Sequence, residues 1–95
     1  MPTTTIDDLE QVLRDRRAER PEGSYSATLF DDPELIQRKV MEEAFETCLE
    51  LGRDERDPAR VASEAADLVF HLLTGLVSVD VSWQAVLDQL EGRRR

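Results

Sequence analysis

The 95-residue chain reads as a single all-α domain over residues 1–95. Apolar residues recur at helical spacing through most of it, no segment alternates with period two, and two Asp-Pro pairs stand where helices would begin. In the first helix, from Ile6 to about Arg20, residues Ile6, Leu9, Val12 and Leu13 follow the i, i+3, i+4, i+7 rule. Thr5 is the expected cap, with Asp7 and Asp8 in the first turn, where acids favour the helix dipole. The stretch Pro21-Glu22-Gly23-Ser24-Tyr25-Ser26 then stops the helix and reads as a loop. Asp32-Pro33 sets a capping residue before a proline at the first helical position, which predicts a second helix over 33–51 with Gly52 just beyond. Asp57-Pro58 opens a third helix that runs to about Val77–Val79. Ser82 caps a short fourth carrying Trp83, Val86, Leu87 and Leu90. Gly92 closes it, and the arginine tail Arg93–Arg95 complements the negative end of the last helix.

Twenty-one Asp and Glu against twelve Lys and Arg leave a net charge of −9, which repels phosphate backbones and argues against nucleic acid as a partner. The single cysteine, Cys48, excludes an intrachain disulfide and a Cys-based zinc site within one chain, and is read as a core residue, as is Trp83. No apolar run reaches the ~18 residues of a membrane span, and Met1–Thr5 has no signal-peptide core. A cytoplasmic protein without a membrane partner is expected. A chain this short buries only roughly 60–65% of its unfolded surface, so an oligomer, a metal or both should support it. The third helix is apolar nearly all round, through Val61, Ala62, Ala65, Ala66, Leu68, Val69, Phe70, Leu72, Leu73 and Leu76, and is expected to be buried nearly all round. The other helices cannot cover it, which predicts a homodimer whose paired antiparallel hairpins make a four-helix core.

The acids are placed by the same periodicity. On the second helix, Lys39, Glu42, Glu43, Glu46 and Glu50 share an arc of about 100°. Taken alone, that is the solvated face of an amphipathic helix. On the apolar third helix, Glu64, Asp67 and His71 form a stripe about 60° wide, and a carboxylate buried there without a partner costs several kcal/mol. Counted outward from the link, Glu46 lies level with Glu64 and Glu43 with Asp67. Four carboxylates therefore converge as Glu-x-x-Glu facing Glu-x-x-Asp. A divalent cation reverses the sign of their mutual repulsion, and an all-oxygen set suits Mg²⁺ or Mn²⁺ better than Zn²⁺. Lys39 either pairs with Glu42 or Glu43 at the surface or contacts a substrate phosphate. His71 is better placed as a hydrogen-bonded wall beside the acids than as a ligand.

The segments Lys39-Val40-Met41-Glu42-Glu43-Ala44-Phe45-Glu46 and Glu64-Ala65-Ala66-Asp67-Leu68-Val69-Phe70-His71-Leu72-Leu73 resemble the phosphoribosyl-ATP pyrophosphohydrolase family of histidine biosynthesis, within the all-α, MazG-like nucleotide pyrophosphohydrolases. The Pro21–Ser26 segment resembles that family's Ser-Tyr loop, and the preceding helix with Arg14, Arg16 and Arg17 fits it too, so that the match covers about 6–91. The family often carries Lys where this chain has Thr28. The resemblance implies hydrolysis of phosphoribosyl-ATP to phosphoribosyl-AMP and pyrophosphate by metal-activated water. It implies Glu43, Glu46, Glu64 and Asp67 as ligands of Mg²⁺ or Mn²⁺, with Glu42 completing a second metal site or orienting the water. Lys39, Ser24, Tyr25 and His71 are the implied substrate contacts, and the basic residues of the first helix are candidates to read the ribose phosphate. Two alternatives share the acid set: a house-cleaning nucleoside triphosphate pyrophosphohydrolase, and a non-catalytic metal-binding helical module.

Overall fold

The computed structural model describes residues 4–94 and is helical, with no strand among those residues. The helices are α1 (Thr5–Glu19), α2 (Tyr25–Phe30), α3 (Pro33–Leu51), α4 (Pro58–Ser78) and α5 (Trp83–Gly92). The readings that involve Met1–Thr3 and Arg95 lie outside the described residues. Both Asp-Pro starts behave as expected: Asp32 accepts from the Leu35 amide at 3.1 Å and Asp57 from the Ala59 amide at 3.0 Å. Ser82 caps α5 by accepting from the Ala85 amide at 3.1 Å.

Two expectations are corrected at the N-terminal end. The cap of α1 is Thr4, not Thr5: the Thr4 hydroxyl accepts from the Asp7 amide at 3.0 Å while the Asp7 carboxylate accepts from the Thr4 amide at 3.3 Å, a reciprocal capping box. The described residues also form five helices where four were expected, because the end of the expected loop opens α2. There Ser24 accepts from the Ala27 amide at 3.3 Å, and Ala27, Leu29 and Phe30 are buried. Six residues are under two turns, too few for a helical period to show in the sequence.

The core forms where α1 and α2 meet the second half of α4. Leu13, Phe30, Leu73 and Val77 are buried together, with Ile6, Leu9, Phe70 and Trp83 packed around them. Polar contacts tie the ends. Arg17 Nη1 donates to the Val77 carbonyl at 2.9 Å and pairs with Asp80 at 2.6 Å, which holds the Asp80 carboxyl below the usual carboxylate range. Glu10 accepts from the Trp83 amide at 2.7 Å and so docks α5 on α1. Arg20 ends α1 in the left-handed region at φ 50°, a place glycine usually takes. Its amide donates to the Arg16 carbonyl, and its guanidinium pairs with Asp31.

The first half of α4, residues 58–69, contributes no fully buried residue. It pairs with α3 in an antiparallel hairpin whose helices approach closely at Gly75, where an added Cβ would sit 3.3 Å from Ile36 Cγ2. The hairpin makes the chain elongated: its radius of gyration is 14.8 Å and its long axis 44 Å, against about 12–13 Å for a compact domain of this length. Within one chain, therefore, α4 is not buried nearly all round, since only His71, Leu73, Thr74 and Val77 are. Beside it, Met41 and Phe45 of α3 are 64% and 63% exposed, and Leu49, Leu51 and Leu72 are exposed as well. Cys48 is exposed too, not in the core as expected, because its side of α3 has no neighbour within the chain. At 21 residues, α4 has the length and apolar content of a membrane span, though Glu64, Asp67 and His71 lie along it and α3 packs on it.

Candidate active site

The hairpin brings its acids together. One carboxylate oxygen each from Glu43 on α3 and from Glu64 and Asp67 on α4 lie within 4.8 Å of one another, with Glu43 buried, Glu64 half-buried and Asp67 exposed. Half-buried Glu46 lies one turn beyond Glu43, within hydrogen-bonding reach of both Glu43 and Glu64. Among the described residues no Lys or Arg pairs with any of these four acids; the cations nearby go to Glu42 and Glu50.

That arrangement is electrostatically unfavourable as it stands. Burial, contact with Glu46 and the charges of Glu46, Asp67 and Glu64 push the Glu43 carboxyl up to about 7. Glu64 is raised as well, first by its contact with Glu46, then by burial and by the charges of Glu46, Asp67 and Glu50. One oxygen of Glu43 and one of Glu64 are buried with no hydrogen-bond donor. Buried carboxylate oxygens without donors are costly, and a bound cation would turn each repulsive contribution into an attractive one. The donor set is all oxygen and comes from two adjacent helices, so the residues fit a metal ion.

Next to the acids stands a chain of hydrogen bonds. His71, one turn past Asp67 and buried, uses Nδ1 to reach the Asp67 carbonyl at 2.9 Å, and its Nε2 lies 3.0 Å from the Tyr25 hydroxyl. A carbonyl only accepts, so Nδ1 carries the proton in the neutral ring, and Nε2 accepts from Tyr25. The Tyr25 ring, half exposed, lies nearly parallel to Phe70 with centroids 6.3 Å apart. His71 thus sits as the hydrogen-bonded wall expected of it, and an aromatic surface adjoins the acids.

Other expected residues fall elsewhere. Glu42 points away from the cluster to Lys39, at 3.6 Å, and is exposed, so that Lys39 forms the surface pair that was one of its two expected roles. The Ser24 hydroxyl caps α2 and lies 3.2 Å from that of Ser26. Thr28 donates back to the Ser24 carbonyl at 3.1 Å. The basic residues of α1 lie at the far end of α4, near Val77 and Asp80, where Arg14, Arg17 and Arg20 pair with Glu10, Asp80 and Asp31. Ten residues of helix, about 15 Å, separate Val77 from Asp67. Phe70 was read only as an apolar position of the third helix. Its role under Tyr25 could not be seen without knowing that the Ser-Tyr segment folds onto α4.

The sequence model of the family described as phosphoribosyl-ATP pyrophosphohydrolase matches residues 6–94. The chain belongs to that family. It is similar to the phosphoribosyl-ATP pyrophosphatase of Methanosphaerula palustris, 44% identical over 98% of this chain and 95% of that protein. The phosphoribosyl-ATP pyrophosphatase of Metallosphaera sedula is 37% identical over 98% of this chain and 99% of its own length. The histidine biosynthesis trifunctional protein of Neurospora crassa is 40% identical over 90% of this chain, which is 9% of that longer protein. The phosphoribosyl-ATP pyrophosphohydrolase family thus includes proteins of this chain's size as well as a segment of a much longer one.

Proposed function

We propose that the protein is a Mg²⁺-dependent phosphoribosyl-ATP diphosphatase that hydrolyses the α–β phosphoanhydride to release phosphoribosyl-AMP and pyrophosphate, a step of histidine biosynthesis. The observation that carries this reading is the meeting of Glu43, Glu64 and Asp67 beside Glu46, with two donor-less buried oxygens, in a chain of this family. These four residues would hold Mg²⁺, or Mn²⁺ in its place. When bound, the ion makes water nucleophilic near neutral pH and offsets charge on the phosphates.

The chain's own residues do the rest. Without a cation, burial and the neighbouring acids push the Glu43 carboxyl up to about 7, and a bound ion would favour its ionised form. His71 fixes the Tyr25 hydroxyl by accepting its proton at Nε2, so toward the substrate that oxygen can only accept. It therefore suits a hydroxyl or amino group of the nucleotide rather than a phosphate, and the Tyr25 face beside Phe70 suits the purine ring. Glu42 and Lys39 stand beside the acids as a surface pair, within one turn of Glu43.

The active form is a soluble, cytoplasmic homodimer. Met41, Phe45 and Leu72 leave an apolar face on the hairpin that a second hairpin would cover, and the chain's elongation is what one half of a bundle would show. Following ³¹P resonances tests the chemistry. With Mg²⁺ the protein should convert phosphoribosyl-ATP to phosphoribosyl-AMP and pyrophosphate, and chelator should stop it. Orthophosphate as the product would refute α–β cleavage. Turnover of noncanonical nucleoside triphosphates but not of phosphoribosyl-ATP would favour the house-cleaning activity.

A further inference from the structure

Glu50 is the third acid in the row that Glu43 and Glu46 begin, yet it is kept apart from them. It is 4% exposed, and two arginines hold it: Arg53 Nε donates to Oε2 at 2.9 Å, and Arg60 Nη2 lies 3.5 Å from Oε1. One guanidinium would neutralise Glu50, so the second is not needed for that, although Asp54, Glu55 and Asp57 also stand in the link. Both arginine side chains are more than half exposed, at 52% and 65%. A guanidinium has five N–H donors, and most of those on Arg53 and Arg60 have no partner among the described residues.

The two guanidinium groups have a definite place. Arg60 stands one helical turn before Glu64, and Glu50 one turn after Glu46, so the arginines border the acid cluster on the side of the α3–α4 link. Tyr25 and His71 border it on the other side, one turn past Asp67. Along the α3–α4 hairpin the side chains therefore run in order from the Tyr25–His71 pair through the acids to the two guanidinium groups on Glu50. A nucleoside triphosphate has the same order of chemistry once cations sit on the acids, with a ring at one end and its least neutralised phosphates at the other. Planar, bidentate recognition of phosphate is what an exposed guanidinium offers.

We infer that Arg53 and Arg60, set side by side by the buried Glu50 carboxylate, bind the terminal phosphates of the substrate. The triphosphate then lies along the hairpin with its nucleoside toward Tyr25 and the part released as pyrophosphate toward the link. Glu50 acts as a positioning residue, and the inference rests on the pyrophosphohydrolase reading given above.

The test uses two product-like probes whose binding is measured by calorimetry in the presence of Mg²⁺: inorganic pyrophosphate and AMP. Arg53→Gln and Arg60→Gln should each weaken pyrophosphate roughly tenfold or more while leaving AMP within about twofold. Arg53→Lys and Arg60→Lys, which keep the charge but lose the fork, should recover part of that loss. Tyr25→Ala should do the reverse, weakening AMP and sparing pyrophosphate. Arg53 lies in the exposed link, so its substitution leaves the helices and the Glu50–Arg60 pair in place. Unchanged pyrophosphate affinity in the Gln variants would overturn the inference and reduce the arginines to neutralising Glu50. Loss of AMP instead of pyrophosphate would overturn the orientation. Failure of the parent reading looks different: the unsubstituted protein would then not turn over phosphoribosyl-ATP at all.

Discussion

Replacing Glu43 by Gln in the cation-free protein should stabilise it, and should do so more as the pH rises. Glu43 is 8% exposed, with its carboxyl pushed from 4.5 to about 7 by burial and by three neighbouring acids. A carboxyl whose pKa is higher in the folded than in the unfolded state contributes its stabilisation fully below pH 4.5 and loses it as the pH climbs through about 7. Each pKa unit corresponds to about 1.4 kcal/mol, so ionising this group costs the fold up to about 3 kcal/mol, part of it shared with Glu46 and Glu64. Gln keeps the shape, carries no charge and offers an N–H₂ to the Glu46 carboxylate. In chelator at about pH 8 the Glu43→Gln protein should be more stable by about 1–3 kcal/mol, a rise in Tm of roughly 5–15 °C for a domain of this size. The gap should close toward about pH 5. Millimolar Mg²⁺ should reverse the order, raising Tm for the unsubstituted protein and not for the variant. Thermal unfolding followed by circular dichroism reads all of this. A variant no more stable than the parent at about pH 8 in chelator, or a parent whose stability does not fall from about pH 5 to 8, would refute the electrostatic reading of the cluster.

Three further outcomes follow from the same structure. Glu46→Gln and Asp67→Asn should abolish phosphoribosyl-ATP hydrolysis while leaving the helical circular dichroism signal intact; near-normal turnover in either would remove that residue from the ligand set. His71→Ala should lower turnover by about 10–100-fold, as for other groups that orient ligands, yet keep Mg²⁺-dependent stabilisation, since the ring nitrogens of His71 are taken by the Asp67 carbonyl and the Tyr25 hydroxyl; loss of that stabilisation would make it a ligand. Phe45→Glu, on the exposed apolar face of the hairpin, should shift the protein to a monomer in sedimentation experiments; an unchanged dimer would move the interface elsewhere.

Much of this molecule is written in local patterns. Asp32-Pro33 and Asp57-Pro58 set the starts of α3 and α4 because capping and the missing proline N–H act within a single turn. The three-residue spacings of Glu43 with Glu46 and of Glu64 with Asp67 put each pair on one helix face for the same reason, and a short link sets the two faces opposite each other. Tertiary structure decided what periodicity leaves open. Glu42 and Glu43 are neighbours about 100° apart on the helix, and only the position of α4 determined that Glu43 turns inward while Glu42 turns to Lys39. Cys48 follows an apolar pattern but lies on a side of α3 that nothing in the chain covers. α2 is too short to announce itself, yet its docking brings Tyr25 to His71, 46 residues away. Glu50 likewise looked like one more solvated acid until the hairpin set Arg60 against it. A helix face is a property of 3.6-residue geometry and belongs to the sequence, whereas burial and pairing depend on which other segment arrives at that face, and that is settled only when the whole chain packs.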